Sequence, residues 1–349
     1  MTLPDDVAAI REGVAYSRLD DVSYIRIRGG TAYAALDALF PSALKMRDGQ
    51  LLHTMLLTDD ARPFADAYLC WDDEEFFILA EGPPCAVLAA WLRENLRGTD
   101  IVVEDCSETH AILALDGPYA WELLGLLVDP EAIGLPYLTF YHHGDSICYR
   151  AGKTGEYGYG IIARRDEAER LENRLVEIGR AFNLVRVGRE TLEQCALENW
   201  FFNIRREGAE AVTPIELQLQ WRVSYQKSFA GSDALSRRRR DGAKQRLTSL
   251  LMNGEIARGD IVSLEGKPVG RIVNAGFSHV RAEWMALALI DVAWAYPGIA
   301  SFAVAGRAGT ATARSVSPPV LNNRSLSVSP QLHSYATRQE YPMPDLVRR

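Results

Sequence analysis

Cysteine is scarce in this chain and scattered. Cys70, Cys85, Cys106, Cys148 and Cys195 are the five among 349 residues, and no two share C-x-x-C spacing. That argues against a disulfide framework or a zinc site, and the expectation is five reduced core thiols. Histidine is equally dispersed, and the adjacent His142-His143 would point to opposite faces of a strand, so no metal site is expected. A basic excess is missing too. The 46 acidic and 38 basic residues leave a net charge of −8, which argues against a nucleic-acid partner. The most apolar late stretch, 285–299, is interrupted by Asp291 and Pro297 and is too short to span a bilayer. The first ten residues carry Asp5 and Asp6 and no apolar h-region, so no signal peptide, no membrane partner and a cytoplasmic location are expected. Internal repeats and low-complexity tracts are also missing.

What is present fits a chain that buries a sizeable core, with 48% hydrophobic and 24% charged residues. The length favours two or three domains. Strands are expected at Val22–Arg28, at Phe64–Trp71 and Glu75–Ala80 as a hairpin turning at Asp72-Asp73, and at Ile101–Glu104, Ala111–Leu115, Tyr137–Tyr149 and Tyr159–Ala163. Helices are expected at Ala32–Phe40, Pro84–Asn95, Pro118–Leu127, Ala168–Phe182 and Glu190–Ala196. These interleave without βαβ spacing, which suggests α+β units with mixed or antiparallel sheets. Arg237-Arg238-Arg239-Arg240-Asp241-Gly242 reads as a charged, flexible break, either a solvated linker or a steering patch for an anion. Beyond it, short apolar runs divided by glycines and charged turns suggest a small β-barrel or sandwich. The expected division is 1–240 and 241–349, with about 46–105 forming much of a second subdomain inside the first part. The Ser-, Pro- and Arg-rich tail from Ser315 is expected to be loosely ordered unless Tyr335 and Tyr341 pin it.

The most informative stretch is Gly152-Lys153-Thr154-Gly155-Glu156-Tyr157-Gly158-Tyr159-Gly160, followed by apolar Ile161-Ile162-Ala163. Glycine at this density requires tight bending or a close approach of the backbone. The stretch resembles the Gly-Tyr-Thr-Gly-Glu-x-Gly-x-Glu signature of the folate-binding aminomethyltransferases, the glycine cleavage T-protein family. Three more segments resemble the family in the same order: Gly49 to Asp66; Val187-Gly188-Arg189-Glu190-Thr191-Leu192, continuing to Thr213-Pro214-Ile215-Glu216 and Lys227 to Gly231; and Pro268 to Ser278.

The resemblance implies an α+β fold in a three-part, cloverleaf-like arrangement that ends in a β-barrel, with a channel for tetrahydrofolate as cofactor. It implies Asp66 as the catalytic group beside the reacting folate nitrogen, and Arg189, Glu156, Tyr157 and Tyr159 as cofactor contacts. His53, matching a family Tyr, and Tyr68 are implied as substrate contacts. The residues themselves leave other readings open. Asp66 could be a solvated strand end. Arg189 could pair with Glu190 or Glu198, Glu156 could cap its own turn, and the tyrosines could be core. Gly160 stands where the family places a Glu that binds the pterin, and Glu81-Gly82 replaces a usual Asn-Ala. The implied activity is a tetrahydrofolate-dependent one-carbon transferase, a demethylase or methyl/aminomethyl transferase acting on a methylated small molecule. The alternative is a non-catalytic folate- or ligand-binding relative with a maintenance or regulatory role. No surface for a lipoyl carrier protein is evident, and none is expected as partner.

Overall fold

The computed structural model describes residues 2–96, 100–306 and 309–347. In chain order its elements begin with helix α1 (Leu3–Glu12), strands β1 (Ala15–Arg18) and β2 (Ser23–Arg28), and helix α2 (Ala32–Leu39). Next come β3 (Leu51–Leu57), β4 (Pro63–Asp72), β5 (Glu75–Glu81), α3 (Cys85–Asn95), β6 (Val102–Asp105), β7 (His110–Asp116) and α4 (Ala120–Leu127). Then follow β8 (Phe140–His143), β9 (Ser146–Tyr149), β10 (Gly158–Arg164), α5 (Arg165–Gly179), β11 (Val185–Arg186), α6 (Arg189–Glu198) and α7 (Ser232–Asp241). The last six strands are β12 (Gln245–Met252), β13 (Ile261–Leu264), β14 (Lys267–Ser278), β15 (Glu283–Asp291), β16 (Phe302–Gly306) and β17 (Gly309–Val316).

These strands form three bodies. A six-stranded sheet has the order β11-β1-β7-β10-β9-β8, a five-stranded sheet the order β3-β4-β5-β2-β6, and β12 to β17 close into a barrel. Only the short β1–β11 pair is parallel among the pairings described; the rest are antiparallel, the signature of an α+β rather than a doubly wound fold. Each body has its own apolar centre. Ile25, Leu36, Leu56 and Leu69 pack inside the five-stranded sheet and its helices. Leu115, Leu123, Tyr159 and Leu175 pack inside the six-stranded one. Leu250, Ile272, Ala288 and Val304 fill the barrel, which closes on itself and so leaves no exposed sheet edge.

Two local expectations are corrected. The run Arg237–Arg240 is the last turn of α7 rather than a flexible break. Cations at a helix C-terminus face the negative end of its dipole. Here Arg238 also reaches Glu216 at 3.2 Å, and Arg239 lies 4.2 Å over the Tyr225 ring. The stretch Tyr137–Tyr149 is not one strand but the β8–β9 hairpin, turned at Gly144 with φ 57°. The tail is pinned by Tyr335, buried against Tyr119 and Phe182, while Tyr341 stays exposed.

Candidate active site

β4 carries Asp66 and Tyr68 two residues apart, so both side chains leave the same face of the five-stranded sheet. Across the ladders His53 on β3 faces Tyr68, and Glu81 on β5 faces Asp66. Two acids directly opposite each other on neighbouring strands repel. Lys153 resolves the conflict. Its Nζ lies 2.5 Å from both Asp66 Oδ2 and Glu81 Oε1. Arg222, from a short turn of 3-10 helix at Gln220–Arg222, donates from Nη1 to Asp66 Oδ1 at 2.9 Å. His53 Nε2 lies 3.1 Å from the same oxygen, and Arg222 Nη2 lies 3.4 Å from His53 Nδ1. These partners assign the neutral tautomer, with the proton on Nε2 donated to Asp66 and Nδ1 accepting from Arg222.

Asp66 is 2% exposed. Burial pushes its carboxyl up, but Lys153, His53 and Arg222 outweigh burial and hold it well below the usual carboxylate range. Burial likewise lowers His53, against the pull of Asp66. For Lys153 burial opposes the charge, yet Asp66 and Glu81 win and raise it, so the side chain is an ammonium. The centre is a fixed array of charges rather than a proton-accepting acid.

This array lies on a cavity with about 1030 Å³ of empty space, part of it open to solvent, in the size range of ligand sites. Asp66, Tyr68, Glu81 and Lys153 line it with Ala114, Asp116, Tyr149 and Thr154, and Arg18, Asp21, Arg189, Glu193 and Arg205 lie on the same lining, Arg205 touching Glu81. Arg189, at the first turn of α6, pairs with Asp21 at 3.1 Å and approaches Glu193 at 3.7 Å, so the pairing with Glu190 or Glu198 is replaced. Arg205 joins Asp21 and Glu81 at 2.9 and 3.1 Å.

Of the residues expected from sequence, Asp66, Tyr68 and Arg189 thus line one cavity, while His53, expected as a substrate contact, touches Asp66 without lining it. Glu156, Tyr157 and Tyr159, expected as cofactor contacts, are not. The Glu156 carboxylate accepts from the Arg324 and Ser325 amides and the Ser325 hydroxyl at 3.1, 2.8 and 2.7 Å, which commits it to the tail. Arg150 covers the Tyr157 ring at 4.7 Å, and Tyr159 is 2% exposed in the core of the six-stranded sheet. Lys153, Arg222, Arg205 and Asp116 went unread. Lys153 had a signal: it occupies the Tyr position of the signature, a second departure besides Gly160. It goes with the Glu81 departure, because the new cation and the new anion touch.

The glycines have separate reasons. Gly155 has φ 86°, and a Cβ there would sit 2.5 Å from the Asn199 side chain. At Gly160 a Cβ would sit 2.1 Å from Cζ of Tyr149, the registered partner of Gly160 on β9.

One mixed and one antiparallel sheet, a closed barrel and a cavity with a buried carboxylate fit the class of folate-handling transferases with a terminal barrel. The sequence pattern of the GCVT N-terminal domain matches residues 2–227, and that of the glycine cleavage T-protein C-terminal barrel domain matches residues 245–321. The chain belongs to the glycine cleavage T-protein family. The aminomethyltransferase of Thermoanaerobacter sp. is 25% identical over 83% of this chain and 82% of its own length. That of Bacillus subtilis is 26% identical over 81% of each. The crystal structure of glycine cleavage system aminomethyltransferase T from Bartonella henselae superposes with a TM-score of 0.83 over 92% of this chain and 90% of its own, at 22% identity, which speaks to the fold. The protein is a one-carbon transferase of the class that works with tetrahydrofolate.

The cavity suits that cofactor. The Tyr68 hydroxyl on its wall is buried and has no hydrogen-bond partner among the described residues, a group awaiting a ligand. Arginines elsewhere on the lining suit an anionic glutamate tail.

Proposed function

We propose that this protein moves a one-carbon unit between a small methylated substrate and tetrahydrofolate, acting as a demethylase or methyl/aminomethyl transferase. The observation that supports this reading is the Lys153–Glu81 pair set against Asp66. It sets a Lys and a Glu beside the proposed reacting position and suits a small polar substrate carrying both charges. In a methyl transfer the carbon–heteroatom bond of the substrate breaks as the bond to the folate nitrogen forms, and the proton leaving that nitrogen ends on the substrate heteroatom. Asp66 stabilises positive charge developing on the moving carbon and orients the folate amine. Burial of the charge array limits water that would intercept such a species.

The same clamp also favours the alternative of a non-catalytic folate-binding relative, because the three partners occupy both oxygens of Asp66. One experiment separates the readings. The protein is incubated with tetrahydrofolate and a panel of N-, O- and S-methylated small molecules, and separately with a reduced lipoyl carrier protein. Methylated or methylene folate is then followed by mass spectrometry. Turnover on a small donor supports the proposal. Tight folate binding with no turnover on any donor supports the non-catalytic reading, and turnover on the carrier alone would assign the ordinary aminomethyl reaction.

A further inference from the structure

Asp116 ends β7 at the glycine-loop end of the cavity, on the same strand face as Ala114, which also lines it. Its neighbour across the β7–β10 ladder is Gly158, and that of Ala114 is Gly160, so no side chain from β10 covers either one. The space over Gly160 is instead filled by the Tyr149 ring. Asp116 is 6% exposed, and among the described residues its side chain has one hydrogen-bond partner, the Thr154 hydroxyl, donating to Oδ1 at 2.8 Å. No cation reaches it within ion-pairing distance among those residues. A carboxylate offers about four acceptor positions, and burying one with most of them unused is unfavourable unless something else fills them.

We infer that Asp116 is the carboxylate that accepts the ring N–H donors of the bound folate, supplying from β7 the acid that Gly160 lacks on β10. The inference rests on the folate reading above. Two neutral N–H donors side by side, as on the amino-oxo edge of a pterin, match a carboxylate that has a hydroxyl partner but no counter-ion. The anionic tail is excluded from that end and directed to Arg18, Arg189 and Arg205. Burial raises the Asp116 carboxyl to about 6, only partly offset by Thr154 and Arg11. The charged or titratable groups around it are Arg11 from α1, Glu156 from the glycine loop, Cys195 from α6 and Tyr149 from β9. None of them supplies a direct partner.

The test uses two fragments of the cofactor with the full chain, 6-methyltetrahydropterin for the ring and p-aminobenzoylglutamate for the tail. Calorimetry of Asp116→Asn is expected to show at least about tenfold weaker binding of the ring fragment and unchanged binding of the tail. Wild-type affinity of Asp116→Asn for the ring overturns the assignment while leaving the folate reading intact. Failure of the wild-type protein to bind tetrahydrofolate or either fragment overturns both. Should Asp116→Asn unfold, the wild-type protein answers by pH. Ring affinity, corrected for the free fragment's own titration, is expected to fall several-fold from about pH 7 to about pH 5 as the acceptor is protonated, and tail affinity to stay level. A level ring profile overturns the assignment.

Discussion

Asp66 keeps its charge inside the protein because Lys153, Arg222 and His53 surround it, and each removal is therefore asymmetric. Asp66→Asn leaves Lys153 and Arg222 facing a neutral amide, and breaking a buried pair from one side costs about 3–5 kcal/mol. Denaturant unfolding should show that loss, and under the proposed function turnover should fall by at least about a hundredfold, because that reading sets the Asp66 charge against the moving carbon. Lys153→Met should lose stability as well, since Asp66 and Glu81 then repel across the β4–β5 ladder. The pH response of Asp66 has a fixed sign. Its carboxyl is depressed in the fold, so its stabilisation is full above the ordinary carboxylate range and disappears as pH falls through the lowered value. Asp116 runs the other way. Raised to about 6, it opposes folding when ionised, so Asp116→Asn should gain roughly 1–3 kcal/mol at neutral pH and little below about pH 4. A thermal melt at both pH values checks it, and an Asn variant no more stable at neutral pH would refute the unfavourable burial. The sequence points to Asp66 through the family resemblance of Gly49 to Asp66, while its own residues fit a solvated strand end equally. It does not show the clamp, because Arg222 joins from 156 positions along the chain and only folding brings the two together.

Local pattern was sufficient where an element's own residues decide it, as in the β4–β5 hairpin with its Asp-Asp turn and in the amphipathic α5. It was insufficient where a partner decides. The arginines of α7 read as a break because their anchors, Glu216 and Tyr225, lie outside the helix. The β8–β9 turn did have a local signal, Gly144-Asp145 between the two runs, which the reading of one strand passed over. Glu156 read as a site residue because the family signature runs through it, yet its carboxylate faces the tail. The β9–β10 pair gives the sharpest test at this scale. Gly160 and Tyr149 form one unit, since the ring occupies the volume that any side chain at 160 would need. Gly160→Glu alone should cost about 1–3 kcal/mol by overpacking and should weaken rather than strengthen folate binding. Gly160→Glu combined with Tyr149→Gly opens that volume and should recover most of the folate affinity. Calorimetry on both variants decides it, and stronger folate binding by Gly160→Glu alone would show that the ring yields.

At the scale of the whole molecule buried acids tie the six-stranded body to the barrel and the tail, and Asp66 ties the five-stranded sheet to Lys153 and Arg222. Glu198 on α6 holds Arg11 of α1 at 2.8 Å and accepts from Ser278 of the barrel at 2.8 Å. Glu207 accepts from Asn274 of the barrel at 2.6 Å and from the Asn203 amide at 2.7 Å, and burial raises it to about 7. Glu156 holds the segment after the barrel through Arg324 and Ser325. Each tie joins parts distant in sequence, so removing one should detach a part rather than unfold a core. Glu156→Ala strands the Arg324 and Ser325 amides and leaves Arg11, 3.8 Å away, with Glu198 as its remaining acid. The tail should then lift from Tyr119 and Phe182, against which Tyr335 packs. Limited proteolysis should cut Glu156→Ala between Val316 and Tyr341 at a protease dose that leaves the wild type intact. Glu156 makes no hydrogen bond or ion pair with Asp66 or Asp116 among the described residues, so folate affinity should stay within about twofold of wild type. Loss of folate binding together with tail release would show instead that the tail, through Glu156 and the glycine loop, shapes the cavity itself.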